Sequence, residues 1–590
     1  MRLFNPERYK DSHFIELVRH FFQRFFDNDL VARDGEMRVT IVHILALLAV
    51  PGIMWPFFLM PKYVYLAAAG PVTRLQQMWV DEYFFISFAM VLMGFVTVLE
   101  WDALFPDSRD YAILIPLPLS LIELFRAKAA ALAVFLIVFS IDLGALSAIL
   151  FPLVAGDKHT SLFSVLRTSV AHTTAVMAGC AFIFLSIVAL QGVLLNVLSI
   201  RWFRKLSPFI QSGSVFVMLL VLLLYFRISA VLPSVIASNH HSLGWFPPFW
   251  FLGLYETIAG RGEATFVSLA RAGGLSVGIV FVAALAAYAL SYRRHVRKIL
   301  EAQEDLSLGP SFAERVLSRA ADRYLVRDPL ERATFYFVTK TTLRSKKHRL
   351  LLAAYVGVGA AVAFEGLSGI LSRRLAGPGA SAAADSALMS LPLILSFFLL
   401  SGLRYVYTMP AELAANWVFR ISENDGRMRC LAGARKATAS LAIVPLFLAL
   451  LPFYAVLWGW QTALFHVLYG ATLSVVLMQL LLLYFPKIPF TCSYLPGKAN
   501  VTLTWFFYWT AFAMYAFVMA RLERWLMQNP LRQVLFFAIA AVALRVIEWF
   551  RTRLHDETFT LTFEEQPEPA VRTLDISNPA LRALSLNPHE

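Results

Sequence analysis

The residues able to do chemistry sit inside long apolar runs. Asp142, His172, Gln191 and Arg227 lie in the first half of the chain, and Glu365, Arg404, His466 and Gln479 in the second. Hydrocarbon makes such groups costly, so each needs a role: a polar substrate path, a proton relay, or pairing between helices. Pairing of Asp142 with Arg227 is one such arrangement. Snorkelling to the headgroups accounts for residues near span ends, among them Arg404, Glu100 and Asp102. No dense chain of carboxylates appears, which weighs against a proton-driven pump.

Signatures of H-E-x-x-H and P-loop chemistry are missing. The sequence has no H-E-x-x-H and no G-x-x-x-x-G-K-[ST], so ATP hydrolysis through a P-loop is not expected in this chain. His240 and His241 are adjacent, and adjacent histidines on a helix point apart, so no metal site is expected there. Neither a cofactor nor a resident metal is called for, and the chain reads as a non-enzyme.

These polar groups require helices to hold them. The 590 residues are 58% apolar, with a mean hydropathy of +0.64 and only 15% charged residues. The apolar residues come in runs of roughly 18–25, the length of a membrane-spanning helix. Spans are expected at 39–60, 84–104, 129–153, 170–198, 213–237 and 267–291, then at 349–370, 387–407, 437–457, 461–485, 502–520 and 532–550. The fold class is all-α: a polytopic membrane protein of about twelve transmembrane helices, read as two parallel six-helix repeats.

The net charge of +13 fits the positive-inside rule better than nucleic-acid binding. Most of the 52 Lys and Arg fall on one side if the N-terminus is cytoplasmic. Both termini and the linker 292–348 then face the cytoplasm. The expected organisation is an N-terminal interfacial helix in 1–38, a first six-span half at 39–291, the linker, a second half at 349–550, and a largely disordered cytoplasmic tail at 551–590. The first span reads as an uncleaved signal-anchor. In the N-terminal segment Phe14, Val18, Phe21, Phe22 and Phe25 form one helical stripe, suited to the headgroup plane or to the protein's own cytoplasmic face. The linker has helical periodicity at 311–327. Pro51, Gly52 and Pro56 in the first span and Pro445 and Pro452 in the ninth give some breakage. Of the three cysteines, none forms a C-x-x-C pair, and neither disulfides nor a zinc site is expected.

The segment after the second span carries the most information. It runs from Glu100 through Asp107, Arg109 and Asp110 to Pro116-Leu-Pro118-Leu-Ser120, and then restarts towards Arg126 and Lys128. Pro116 and Pro118 cannot sit inside a helix without cost, so they fix a bend. This pattern resembles the permease subunit of type-2 ABC exporters. There a charged span end, an apolar turn of the form L-x-x-x-P-L/V-S, and a restart ending in Lys are usual. Ile113–Ser120 with Arg126 and Lys128 matches it. The resemblance covers roughly residues 1–300. Leu243–Gly260, with its Trp and Phe residues, matches the outer amphipathic segment between the fifth and sixth spans. The second half departs: Met409–Lys436 lacks the Pro-x-Pro turn.

The resemblance implies a permease of an ATP-driven exporter in a bacterial cytoplasmic membrane. The partner it implies is a separate soluble P-loop ATPase subunit, acting as a dimer, in a lipid bilayer and without nucleic acid. Asp107, Arg109, Asp110, Pro116, Pro118, Arg126 and Lys128 would couple it to that ATPase. An ion-gradient transporter and a structural subunit of a larger membrane complex are the competing readings. The transported substrate is not legible.

Overall fold

The computed structural model describes residues 6–25, 37–66, 70–105, 120–156, 161–238, 241–301, 318–319, 321–376, 381–411, 423–483, 485, 488–491 and 501–558. Asp107, Arg109, Asp110, Pro116 and Pro118, residues 311–317 and 320 of the linker periodicity, and the tail beyond 558 lie outside the described residues.

The described chain is all-α, a polytopic membrane protein. Eleven of its helices are long and apolar enough to cross a bilayer, and they overlap eleven of the twelve expected spans. The remaining one, expected at 502–520, is helical from Val501 to Met527 through a π turn at Met514–Val518.

In order, the helices are α1 (Pro6–Arg24), α2 (Met37–Leu66), α3 (Pro71–Leu99), α4 (Leu121–Ala155), α5 (Leu162–Val197), α6 (Ile200–Ala237), α7 (Pro247–Ala259), α8 (Ala264–Glu301) and α9 (Pro329–Arg344). They continue with α10 (Lys346–Ala376), α11 (Ser381–Val406), α12 (Glu423–Thr438), α13 (Val444–Trp458), α14 (Trp460–Leu481), α15 (Val501–Ala513), α16 (Met519–Met527) and α17 (Pro530–Thr558). Starts follow local chemistry. Ser120 and Glu123 form a reciprocal capping box on α4, and Asp328 caps α9 ahead of Pro329.

Proline breaks less than its sequence positions imply. α2 runs unbroken through Pro51, Pro56 and Pro61. In the ninth span a π turn at Ala439–Ile443 precedes Pro445, widening the helix where the proline lacks its N–H donor.

The chain divides into two compact units. The first comprises Met1–Arg315, Arg349–Gly402 and Ala511–Trp525. In its main core cluster α3 packs on α5 and α6, α5 packs on α8, and α7 lies against α3, α5 and α8. α1 packs on α4: Leu17, Phe21 and Phe25 are buried, while Phe14 and Ile15 are exposed. The stripe read as interfacial therefore seats on the protein's own helix. α7, within the Leu243–Gly260 segment expected at the outer interface, packs on α5 and α8. Phe251, Leu252 and Tyr255 are buried, and the preceding Trp245 is strongly exposed.

The second unit comprises Val316–His348, Leu403–Thr510 and Leu526–Glu590. Its strongest pairing joins linker helix α9 to α12. Arg429 pairs with Asp328 at 3.2 Å, and Lys436 pairs with Glu331. Phe490, at φ 71°, donates its N–H to Tyr407 O and accepts from Ala411, and packs against the rings of Phe337, His348 and Tyr407.

One glycine sets a helix spacing. A Cβ on Gly253 of α7 would lie 2.5 Å from Leu269 Cβ and 2.7 Å from Phe266 O of α8. Gly253→Ala should cost about 1–3 kcal/mol by overpacking. Gly274→Ala faces open space on α8 and should stabilise by about 0.5–1 kcal/mol. Denaturation of the two variants in one detergent compares them directly.

Candidate functional site

The first unit holds a buried ion cluster at one end of the bundle. α3 begins at Pro71 behind the extended Gly70. Proline suits this position because its missing N–H is one that no helix start can use. That start brings Asp81 and Glu82 inside the helix, 1% and 0% exposed.

Asp81 is met by the end of α2. Lys62 Nζ donates to Asp81 Oδ1 at 2.9 Å and to Oδ2 at 2.8 Å, and Tyr63 Oη donates to Oδ2 at 2.7 Å. Glu82 is met by α7 and the turn after it. Arg261 Nη2 donates to Glu82 Oε1 and to Glu256 Oε1, each at 2.7 Å. Trp79 Nε1 donates to Glu256 Oε2 at 3.2 Å. Glu256 is fully buried.

Neighbouring arginines hold the frame. Gly260 ends α7 at φ 80°, and Arg167 from α5 donates through Nε to Ile258 O at 2.7 Å. A Cβ at Gly260 would fall within 2.5 Å of the Arg167 guanidinium, so glycine is required there for conformation and for space. Arg74 on α3 donates to Ala155 O and Gly156 O at the end of α4, at 2.8 and 2.7 Å. Cations at helix C-termini satisfy carbonyls that lack intrahelical partners.

Two groups of the cluster outside the spans feel it clearly. Burial opposes the charge on Arg261, but Glu82 and Glu256 outweigh burial and raise its pKa above the ordinary arginine value. Burial first, and then the charge of Glu82, push the Tyr255 phenol well up. Arg261 thus ties the Glu82 carboxyl to that of Glu256.

The intramembrane residues singled out in the sequence are distributed differently. Arg227 on α6 pairs with Glu365 on α10 through Nε at 2.5 Å, and its Nη2 donates to Glu365 O at 3.1 Å. The partner of Arg227 is therefore Glu365 and not Asp142. Asp142 Oδ2 is buried without a hydrogen-bond partner among the described residues. His172 is fully buried, its Nε2 2.9 Å from Ser147 Oγ, with its ring edge-on to Phe85 and Tyr255. Gln191 donates to Trp101 O at 2.8 Å.

In the second unit His466 is buried edge-on against Tyr454 and Trp458. Arg404 donates to Leu481 O at 2.9 Å, and Gln479 Oε1 accepts from Arg551 at 2.6 Å.

Of the expected coupling residues, Arg126 and Lys128 are described. Arg126 is exposed on α4. Lys128 is fully buried, with Nζ 4.8 Å from the ring centroids of both Phe21 and Phe25. It holds α1 against α4 by cation–π attraction and is not available at a surface.

The ion cluster formed by Lys62, Asp81, Glu82, Glu256 and Arg261 escapes sequence reading. The expected second span begins at residue 84, which leaves Asp81 and Glu82 in a loop. Gly70-Pro71 was the available signal, a helix start more than ten residues earlier.

The chain matches no family model, no curated protein and no solved structure. The exporter resemblance rests on residues and topology alone.

Removing the base of a buried cluster leaves uncompensated acids. Arg261→Met should cost about 3–5 kcal/mol. For Arg227 and Glu365, each about one-third exposed at the side chain, a double-mutant cycle of Arg227→Met with Glu365→Gln should return a favourable coupling of about 0.5–3 kcal/mol. Chemical denaturation measures both.

Proposed function

We propose that this chain is the membrane-spanning permease of an ATP-driven export system, working with a separate ATPase subunit. The observation that carries the reading concerns the two ends of segment 106–119. On one side Trp101, Leu104 and Phe105 are buried, and Trp101 O accepts from Gln191 of α5. On the other, the Ser120 capping box starts α4, which Lys128 joins to α1. A segment anchored in packed helices at both ends passes an applied force to them. The residues of that segment that match the exporter pattern, with exposed Arg126, form the proposed coupling surface.

The test is reconstitution. The chain should co-purify with a protein carrying a P-loop and should change that partner's ATPase rate. Exchanging Arg109 and Asp110, or replacing Pro116 and Pro118 with Ala, should abolish that change while the melting temperature stays put. Absence of a partner ATPase, or unaltered stimulation in both variants, would remove the proposal.

A second reading, transport driven by an ion gradient, gains support from one observation. The acids Asp81, Glu82 and Glu256 are buried together inside the protein. Uptake into proteoliposomes that contain no ATPase, and that stops when the proton gradient is collapsed, would favour it.

A further inference from the structure

Glu82, Glu256 and Arg261 place two fully buried acids on one partly exposed base. Lys62 neutralises Asp81 next to them, so the surplus is one acid. The oxygens of the two glutamates are used unequally. Both oxygens of Glu256 accept hydrogen bonds, from Arg261 and from Trp79. Glu82 Oε1 accepts from Arg261, but Glu82 Oε2 is buried and accepts none. A bare carboxylate oxygen without a donor in such a place is costly, and a hydroxyl is not. Tyr255, on the same helix as Glu256, is fully buried as well, and its hydroxyl also has no hydrogen-bond partner among the described residues.

We propose that Glu82 is a proton-binding residue, carrying its proton on Oε2 while Glu256 stays ionised as the counter-ion of Arg261. The proton comes from water and returns to it, with no other bond changed. Binding is tied to the docking of α7 and its following turn on α3, because those elements supply Glu256, Tyr255 and Arg261. When they withdraw, Glu82 meets water and its proton leaves. The inference does not depend on what drives transport.

All charged or titratable groups facing the pocket enter this balance. They are Lys62 and Tyr63 from α2, Asp81 and Tyr83 from α3, Tyr255, Glu256 and Arg261 from α7 and its turn, and Tyr225 from α6, stacked on Tyr83. From α5 come Arg167, bound to Ile258 O, and His172, whose ring lies 5.8 Å from that of Tyr255.

The test compares Glu82→Gln with Glu256→Gln in the purified full-length chain. An amide mimics a protonated acid, so Glu82→Gln should fold and melt close to the wild type at neutral pH. Glu256→Gln removes the counter-ion and should melt well below it. The native site holds a proton that the unfolded chain releases, so the wild type should lose melting temperature from weakly acidic to weakly alkaline pH. The Glu82→Gln variant should not show that loss. Infrared spectra of the wild type at neutral pH should contain a protonated-carboxyl band that Glu82→Gln removes. Failure of Glu82→Gln to fold, a larger loss for Glu82→Gln than for Glu256→Gln, or persistence of the band in Glu82→Gln would each overturn the proposal.

Discussion

Arg261 is the residue on which the end of the first unit depends. A charge buried away from water needs a counter-charge at contact distance, because the medium around it does not screen. Arg261 meets that need for Glu256 and donates to Glu82 as well, and those acids sit on α7 and α3. Its own place follows from Gly260, which turns the chain left-handed directly after α7. One turn residue thus fixes the base, the base fixes two helices, and the apolar packing of α7 against α5 and α8 is organised around that point.

The same physics recurs at the helix ends. Arg74 closes the end of α4, Arg167 that of α7, and Arg404 that of α14. Arginine suits this work because its planar fork offers several donors on a long apolar stem. Arg74 and Arg167, which a charge tally places on loops, are helix caps delivered by neighbouring helices.

The fold was legible because the constraint behind it is local and strong. Only unbroken apolar runs cross hydrocarbon, and those runs are visible without knowing what packs on what. The cluster was not legible, for a related reason. An apolar window starts α3 at Phe84 and discards the polar turns before it, although those turns continue the same helix from Pro71. Pairings across 138 or 179 residues, such as Arg227 with Glu365 and Arg261 with Glu82, have no spacing rule to reveal them. Asp142 looked like the natural partner of Arg227 only because both were intramembrane ions in one half. The α9 helix was in principle legible: Asp328-Pro329 followed by Glu331 is a helix-start signature in the linker.

The length of α3 has a consequence for electrical coupling. Its 29 residues span about 43 Å, against about 30 Å of hydrocarbon. The surplus is about the distance from Pro71 to Asp81 and Glu82, and the apolar run begins directly after those acids. The acids therefore belong at the rim of the hydrocarbon and not at its midplane. A charge moving between the rim and the adjoining water crosses little of the transmembrane field, which is worth about 2.3 kcal/mol per 100 mV for the full width. An ion entering or leaving this cluster would answer to the composition of the bathing solution and hardly at all to membrane voltage.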